Sequence, residues 1–217
     1  MPKNTFFNLP EKKRTRILNA AIDEFSKYSY EKASITRIVN TANIAKGSFY
    51  QYFENKLDLF RHIFMISADE KLKYLKPTLD KMESEDFFTT LRNLYVAGIE
   101  FVKENYKLSQ IADRLMKSNN ENLKNEIFGE TKPKSNHFLK VLLLKGIKRG
   151  EIDSSIDVEL VSVMLTNLSF TITEYYLKTN EKGIVTDDYS DLMEMVEKMI
   201  YTIENGIKIK GEDNNDY

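Results

Sequence analysis

The stretch that decides the fold is residues 34–56, SITRIVNTANIAKGSFYQYFENK. Its apolar residues recur at three- and four-residue spacings, which predicts two short helices, at about 35–42 and 45–53. Ser34 precedes the first helix and is typical of an N-cap, because its hydroxyl accepts a bond from an otherwise unpaired backbone N–H. Asn43 lies between the helices and tolerates the left-handed conformation that a tight turn needs. This pattern is typical of a helix-turn-helix.

The second helix of the pair carries polar side chains opposite its apolar face. Phe49 and Phe53 join the small apolar core. The polar residues expected to project outward are Lys46, Ser48, Tyr50, Gln51 and Tyr52. A helix-turn-helix places the N-terminal residues of its second helix at base edges in the major groove, and hydroxyl, ammonium and helix N-terminal amide groups donate to phosphates. The sequence therefore predicts a DNA-binding unit.

Residues 14–60 resemble the DNA-binding domain of the TetR family of bacterial transcriptional regulators. The resemblance rests on Lys46-Gly47, on Tyr50-Gln51-Tyr52-Phe53 and on Asn55-Lys56 at fixed spacing. It implies an all-α fold. In that fold an N-terminal three-helix helix-turn-helix domain is fused to a larger helical domain that binds a ligand and dimerises.

The resemblance also implies roles for individual residues. The residues implied to contact phosphates are Ser34, Ser48, Tyr50, Tyr52 and Lys56. The residues implied to contact base edges are Thr36, Lys46, Gly47 and Gln51, with Arg37 suited to either role. Gln51 suits adenine and Lys46 suits guanine, and each good pairing contributes about 1–3 kcal/mol of discrimination. The chain departs from the family at Ser29, Asn43 and Ala45, and alanine cannot cap a helix, which costs roughly 1 kcal/mol locally.

The rest of the chain is also expected to be helical, because glycine and proline are scarce and the apolar residues keep a helical spacing. Pro10 opens the first helix, and Pro77 is expected to end a long helix that begins after Asn55. Further helices are predicted at about 84–104, 107–118, 120–128, 136–149, 157–179 and 188–206, with loops at 131–135 and 181–186 and a polar tail at 212–217. The predicted domains are a DNA-binding domain, residues 1–54, and a regulatory domain, residues 55–217.

The two ends of the chain differ in charge. Residues 1–60 hold ten Lys and Arg against six Asp and Glu, a net charge of +4, whereas the other 157 residues hold 22 against 27, which gives −5. A basic end joined to an acidic remainder is expected when one end meets a polyanion such as DNA. Charge alone leaves a chance asymmetry open, since charge balance is only a prior on partners.

Composition excludes several classes of protein. The chain has no cysteine, so it contains no disulfide, thiol nucleophile or sulfur-liganded zinc site. Asp58 and His62 lie four residues apart, but two ligands fall short of a structural zinc site, and no metal or cofactor is expected. The sequence carries no glycine-rich phosphate loop and no Gly-x-Ser-x-Gly, so we expect no enzyme. No apolar stretch reaches the length of a membrane span and no signal peptide is recognisable, which favours a cytoplasmic protein without membrane contact.

The last two predicted helices carry apolar residues on more than one side, and such helices must pack against two neighbours. Their apolar stripes consist of Leu160, Met164, Leu168, Ile172 and Tyr175 in one helix and Leu192, Val196, Met199 and Ile203 in the other. The pattern alone fits an intramolecular core and a dimer contact equally well. The resemblance favours a homodimer, because the final two helices of TetR-family proteins form an intermolecular four-helix bundle.

The resemblance further implies a cavity for an apolar or amphipathic effector between the fourth helix and the dimer helices. The candidate wall residues are Phe64, Phe88, Tyr95, Phe101, Met116, Phe138 and Phe170, and the candidate polar anchors are Arg114, His137 and Asn167. Aromatic residues at helical spacing most often belong to an ordinary core, so core packing stays the alternative for each wall residue.

These observations predict a DNA-binding transcriptional regulator. A homodimer would place two recognition helices about 34–36 Å apart on double-stranded operator DNA. The resemblance implies repression, with release from the operator when the effector tilts the helix that begins near Asn55. The alternative is a helical adaptor that binds proteins or lipids through its body, and it predicts no salt-dependent binding of duplex DNA.

Overall fold

A computed structural model describes residues 1–129, 131–179 and 190–207 of the protein. These residues form the α-helices α1 (Asn4–Phe7), α2 (Glu11–Lys27), α3 (Ile35–Thr41), α4 (Lys46–Tyr52), α5 (Lys56–Lys81), α6 (Phe87–Glu104), α7 (Tyr106–Lys117), α8 (Glu121–Phe128), α9 (Thr131–Lys148), α10 (Val158–Thr179) and α11 (Ser190–Ile207). The all-α prediction is confirmed. The predicted loop at 181–186 and the tail at 212–217 lie outside the described residues. No helix in the described part is long and apolar enough to cross a membrane.

One hydrophobic cluster holds the first part of the chain together. Phe25, Phe49 and Phe53 are almost completely buried within it. Ile111 of α7 and Leu123 of α8 belong to the same cluster. The helix-turn-helix and two helices from beyond residue 54 therefore share a core, which ties the two predicted domains together.

A second cluster joins α6, α9, α10 and α11. Phe87, Leu142 and Ile200 are fully buried in it. Gly146 lets α9 approach the loop that follows it, because a Cβ atom at this position would lie 2.8 Å from the Ile152 side chain. The second cluster therefore forms the core of the body, apart from the helix-turn-helix.

The short helix α1 was not predicted from the sequence. This four-residue helix precedes Pro10, and four residues are too few for a helical periodicity to show. Phe6 is nevertheless fully buried in the first cluster. A pair of phenylalanines, Phe6 and Phe7, in an otherwise polar segment is the signal that could have revealed it.

The prediction that α5 ends at Pro77 is wrong, since the helix continues to Lys81 with Pro77 inside it. Proline removes one intrahelical donor, but packing can outweigh that loss. Here α5 packs against α6 in an extensive contact, and Thr78, just after the proline, is buried.

The prediction of a loop at 131–135 is also wrong, because α9 begins at Thr131. Pro133 lies in the first turn of α9, where backbone N–H groups have no acceptor within the helix, so a proline there sacrifices no intrahelical bond. Gly150 follows α9 with φ of 72°, a left-handed conformation typical of a helix terminator.

Candidate nucleic-acid interface

α3 and α4 form a helix-turn-helix whose local features follow from its sequence. The Ser34 side chain accepts a bond from the Arg37 backbone N–H at 3.4 Å, which confirms the predicted N-cap. Asn43 has φ of 50° and turns the chain into α4, as predicted. Ala45 precedes α4 and makes no side-chain capping bond, so the start of this helix lacks the support that serine would give.

α4 presents polar groups on one side and apolar groups on the other. Phe49 is fully buried. The exposed residues of α4 are Lys46, Gly47, Tyr50 and Gln51, with Ser48 half-buried; Thr36 of α3 is also exposed. We call these six residues the α4 face. They include all four residues that were predicted to contact base edges, so the structure leaves the predicted base-contacting residues accessible.

Gly47 is not required by the packing of the protein itself. Apart from the neighbouring residues and the backbone of α4 itself, no described atom lies within 4 Å of the position that a Cβ atom would take there. Glycine near the start of a helix lowers its stability relative to alanine. A glycine that the fold does not need suits a site where another molecule approaches the backbone closely.

Tyr52 does not lie where the sequence reasoning placed it. Its side chain is 6% exposed, and its ring lies 6.3 Å from the ring of Phe6, centroid to centroid. The prediction that Tyr52 projects outward is therefore wrong, because α1 covers this side of α4. Too little of the Tyr52 side chain is exposed to favour the predicted contact with a phosphate.

Arg37 already has a carboxylate partner within the protein. Its Nε atom donates to both carboxylate oxygens of Glu24 at 2.9 and 3.0 Å, and one terminal nitrogen donates to the Lys32 carbonyl at 2.8 Å. The hydrogen bond to Glu24 raises the pKa of Arg37. The guanidinium also lies 4.3 Å from the centre of the Tyr28 ring. In this structure Arg37 fixes the start of α3 to α2.

Lys56 likewise has partners within the protein. Its ammonium donates to the carbonyls of Tyr30 at 2.6 Å, Ala33 at 3.0 Å and Glu31 at 3.4 Å. It also lies 4.5 Å from the centre of the Tyr30 ring, and burial lowers its pKa. A phosphate contact by Lys56 would require these bonds to be exchanged. We call Glu24, Arg37, Lys56 and the loop 28–33 the α2–α3–α5 corner.

Glu24 was not predicted, yet it holds the start of α3 in place. It is only 7% exposed and accepts bonds from Arg37 and from the Ser34 backbone N–H at 2.7 Å. A carboxylate on the apolar face of α2, beside Ala21 and Phe25, is the signal that could have found it, because a buried charge needs a partner.

The body contacts the helix-turn-helix through α7 and α8. Arg114 of α7 donates to the Ser26 carbonyl in the last turn of α2 at 2.7 Å, and Asn120 donates to the Glu31 carboxylate at 2.9 Å. Lys107 pairs with Asp23. Arg114 thus holds α2, and the prediction that it anchors an effector in a cavity is not what its contacts show.

The other predicted cavity residues do not come together around one space. Phe64 packs on the first cluster, whereas Phe88, Tyr95 and Phe138 belong to the second. Phe101 is buried and Met116 half-buried, but His137 and Asn167 are exposed, and the Asn167 amide donates to a carbonyl of its own helix. The Phe170 side chain lies outside the described residues. Core packing, the alternative given above, describes the buried aromatics better.

A groove of about 650 Å³ does lie on the described surface, along α2 beside Thr41. Lys12, Arg16 and Asn19 line it, and none of the predicted wall residues does. A much smaller space of about 10 Å³, with Arg114 in its wall, lies where α7 meets α2. Neither matches the predicted cavity.

The predicted dimer residues divide between surface and core. In α10 the exposed fractions of Leu160, Met164 and Tyr175 are 56%, 52% and 58%. In α11, by contrast, Leu192 and Val196 are buried against their own chain, so the prediction that they form a dimer contact is wrong. The half-buried members of the two stripes are Leu168, Ile172, Met199 and Ile203. The α10 stripe therefore keeps an exposed apolar surface.

Comparison with known families fits this geometry. Residues 17–63 match the model of bacterial regulatory proteins of the tetR family. Residues 85–208, more than half of the chain, match the model of the tetracyclin repressor-like C-terminal domain. The chain belongs to the TetR family. It is accordingly a transcriptional regulator of the helix-turn-helix type.

Relatives support the same assignment over nearly the whole chain. A TetR family transcriptional regulator from Chloroflexus aurantiacus J-10-FL is 30% identical, with a TM-score of 0.65 over 97% of this chain and 100% of that one. FadR from Bacillus subtilis, solved in complex with stearoyl-CoA, is 18% identical, with a TM-score of 0.68 over 89% of this chain and 98% of that one. The probable acrEF/envCD operon repressor of Escherichia coli K12 is 21% identical over 94% of this chain and 93% of its own length.

Proposed function

We propose that this TetR-family protein is a homodimeric repressor that binds an operator through α3 and α4 and is released by a small apolar or amphipathic effector. The observation that carries the proposal is the α4 face, where Lys46, Gly47 and Gln51 are exposed beside a fully buried Phe49. A helix of this kind fits a DNA major groove. Such a protein would act in the cytoplasm, where bacterial chromosomal DNA lies.

The α4 face supports a division of roles among its residues. Thr36, Lys46, Gly47 and Gln51 contact base edges, while Ser48 and Tyr50, together with Ser34 at the start of α3, contact phosphates. Arg37 and Lys56 position these groups from the α2–α3–α5 corner, because their nitrogen atoms already donate within the protein.

The exposed apolar stripe on α10 supports dimerisation. Leu160 and Met164 are one helical turn apart, and both are about half exposed. Burial of such a surface against a second copy would stabilise a dimer by about 25 cal/mol for each Å² of apolar area removed from water. Two protomers would then present two α4 faces to one side of DNA.

The names of the relatives support repression and the class of effector. One relative is called an operon repressor, and another was solved with stearoyl-CoA, an amphipathic molecule. Arg114 and Lys107, which join α7 to α2, support a route by which an effector bound to the body would act on the helix-turn-helix. A switch of this kind needs a coupling of about 1–3 kcal/mol between effector and DNA.

DNA binding is tested by selection from a library of random duplexes with the purified full-length chain. We expect an inverted repeat whose half-site centres are about 10–10.5 base pairs, or a multiple, apart. Binding should also weaken steeply with added salt, because neutralised phosphates release counterions. Retention without any enriched sequence would overturn the proposal.

Dimerisation is tested by sedimentation of a variant with Leu160→Glu and Met164→Glu. We expect monomers with weak operator binding, since two charges would have to be buried in the contact. Leu72→Glu, at an equally exposed position on α5, is the matched control and should stay dimeric. A dimeric double variant would remove α10 from the interface.

Release is tested by adding small molecules to the complex of the chain with its selected duplex. Stearoyl-CoA is the first defined probe, followed by free fatty acids of several lengths and by the small-molecule fraction of a cell extract. We expect at least one of these to lower the affinity for the duplex about 5- to 150-fold. An affinity unchanged by all of them would contradict effector-controlled release.

A further inference from the structure

α4 is a seven-residue helix, and no N–H group within it donates to its last four backbone carbonyls, those of residues 49–52. The Phe49 carbonyl accepts from the Phe53 N–H just after the helix, at 2.8 Å. The other three carbonyls belong to Tyr50, Gln51 and Tyr52. Short helices are marginal on their own, so whatever binds these carbonyls affects how α4 is held.

All three remaining carbonyls accept from residues 3 and 5. The Lys3 ammonium donates to the Tyr50 carbonyl at 2.9 Å. The Lys3 backbone N–H donates to the Tyr52 carbonyl at 2.8 Å, and the Thr5 hydroxyl donates to the Gln51 carbonyl. The whole C-terminal end of α4 is therefore capped, and three of its four partners come from a segment remote in sequence.

Phe6 anchors this segment in the core. Its side chain is fully buried. Its ring centroid lies 4.8 Å from that of Phe53, which follows α4, and 5.7 Å from that of His62 in α5. Arg14 of α2 also donates to the Phe7 carbonyl at 3.0 Å. The α1 segment thus has fixed contacts with α2, α4 and α5.

We propose that Lys3, Thr5 and Phe6 position the recognition helix: the first two cap α4, Phe6 anchors them, and together they fix the direction in which Tyr50 and Gln51 meet DNA. The segment acts through α4 and does not itself contact DNA. It lies before residues 17–63, the part that matches the family's DNA-binding model. The inference rests on the proposed DNA binding and adds a determinant of it outside the helix-turn-helix.

The first test compares Phe6→Ala with Phe7→Ala on the duplex selected by the unaltered chain. Phe6→Ala removes the buried anchor and should lower affinity for this duplex about tenfold or more, whereas Phe7, which is about half exposed, is the matched control. Affinity for a scrambled duplex should not change. The dependence of affinity on salt should also keep its slope, because no phosphate contact is lost.

A second pair of variants keeps the test decisive if Phe6→Ala fails to fold. Lys3→Met with Thr5→Val removes the side-chain donors and preserves approximate shape, while Lys3→Arg with Thr5→Ser restores them. Without DNA, amide hydrogen exchange across residues 46–53 should become several-fold faster in the variant with Lys3→Met and Thr5→Val. In the variant with Lys3→Arg and Thr5→Ser it should match the unaltered chain. Asn4→Ala, an exposed position in α1, should change nothing.

The outcomes separate this inference from the proposed function. If the unaltered chain selects a duplex and both variant sets bind it as tightly as before, the positioning role is overturned while DNA binding stands. A salt slope that falls by about one for Lys3→Met would show instead that Lys3 contacts a phosphate. Unchanged exchange across α4 in the donor-deleted pair would also overturn the proposal, even if no duplex is selected.

Discussion

The α4 face and the α2–α3–α5 corner each contain a lysine at the start of a helix, but one lysine is exposed and the other is bonded within the protein. Lys46 begins α4 and Lys56 begins α5, so the two lysines occupy equivalent helix positions. Within the described residues the Lys46 ammonium is exposed and has no hydrogen-bond or ion-pair partner, whereas the Lys56 ammonium donates to three carbonyls of the loop 28–33. The contacts that a lysine makes inside the fold, rather than its residue type, therefore decide whether its ammonium is available to DNA.

The corner and the α4 face depend on each other. Glu24 and Arg37 orient the start of α3, and Lys56 holds the loop before it against the start of α5. A displacement of α5 or α7 would therefore reach α3 through bonds to the backbone. Apart from the pH test at His62, each prediction below changes one member of either region, so that stability and DNA binding change separately.

The largest effect is expected for Glu24→Ala. The change leaves the Ser34 N–H and the Arg37 guanidinium without their acceptor and opens a small cavity, so the free energy of unfolding should fall by roughly 2–3 kcal/mol. Urea unfolding measures it. Glu54→Ala, an exposed glutamate whose side chain has no partner within the described residues, is the control. Equal losses in the two variants would contradict the role given to the corner.

Gln51→Ala should leave stability unchanged and relax the preference for one base pair in each half-site. Loss of a bidentate contact to a base costs about 1–3 kcal/mol of discrimination. Repeating the duplex selection with the variant measures the preference position by position. Asn40→Ala, an exposed residue of α3 outside the α4 face, should select the original sequence. Undiminished preference at every position would remove Gln51 from the base-contacting set.

Gly47→Ala should change stability and binding in opposite directions. The added methyl group meets no described atom of the protein, so the helix should gain up to about 1 kcal/mol. The same methyl group would meet the DNA and weaken operator binding. Thermal unfolding and duplex binding on the same sample check both signs, and tighter or equal binding would mean that the backbone does not approach DNA closely here.

The smallest effect concerns pH. Burial between Phe6 and Phe7 is the main cause that lowers the pKa of His62 below 6.5, although Asp58 opposes it. The folded state then favours neutral His62, so its contribution is full above pH 6.5 and is lost as the pH falls below that value. Between pH 7 and pH 5 the free energy of unfolding should fall more for the unaltered chain than for His62→Gln. Identical losses would exclude this site.

The sequence predicts the fold class and the helix-turn-helix because both depend on local signals. Ser34, Asn43 and the helical spacing of apolar residues state those signals directly. Pro77 and Pro133 led to wrong helix boundaries. Packing against α6 makes Pro77 tolerable inside α5, and a first-turn position makes Pro133 tolerable in α9. Neither condition can be seen in the sequence around the proline.

The roles of individual residues are harder to predict than the fold. Arg37, Lys56 and Arg114 resemble ordinary surface residues in the sequence, yet Glu24, Tyr30 and Ser26, with which they bond, lie 13, 26 and 88 residues away. Likewise, the repeated apolar positions of α10 and α11 look alike, yet Leu160 is exposed and Val196 is buried. Which side of a doubly apolar helix meets its own chain depends on the arrangement of all its neighbours, which a spacing pattern does not contain.

The most direct test of the contrast between the two regions is the same substitution made at both lysines. For Lys46→Met we expect unchanged thermal stability and at least tenfold weaker binding of the selected duplex. For Lys56→Met we expect a lower melting temperature and, below that temperature, a salt dependence of binding with the slope of the unaltered chain. The opposite result, with Lys46 important for stability and Lys56 for the salt slope, would show that contacts within the fold do not decide which lysine binds DNA.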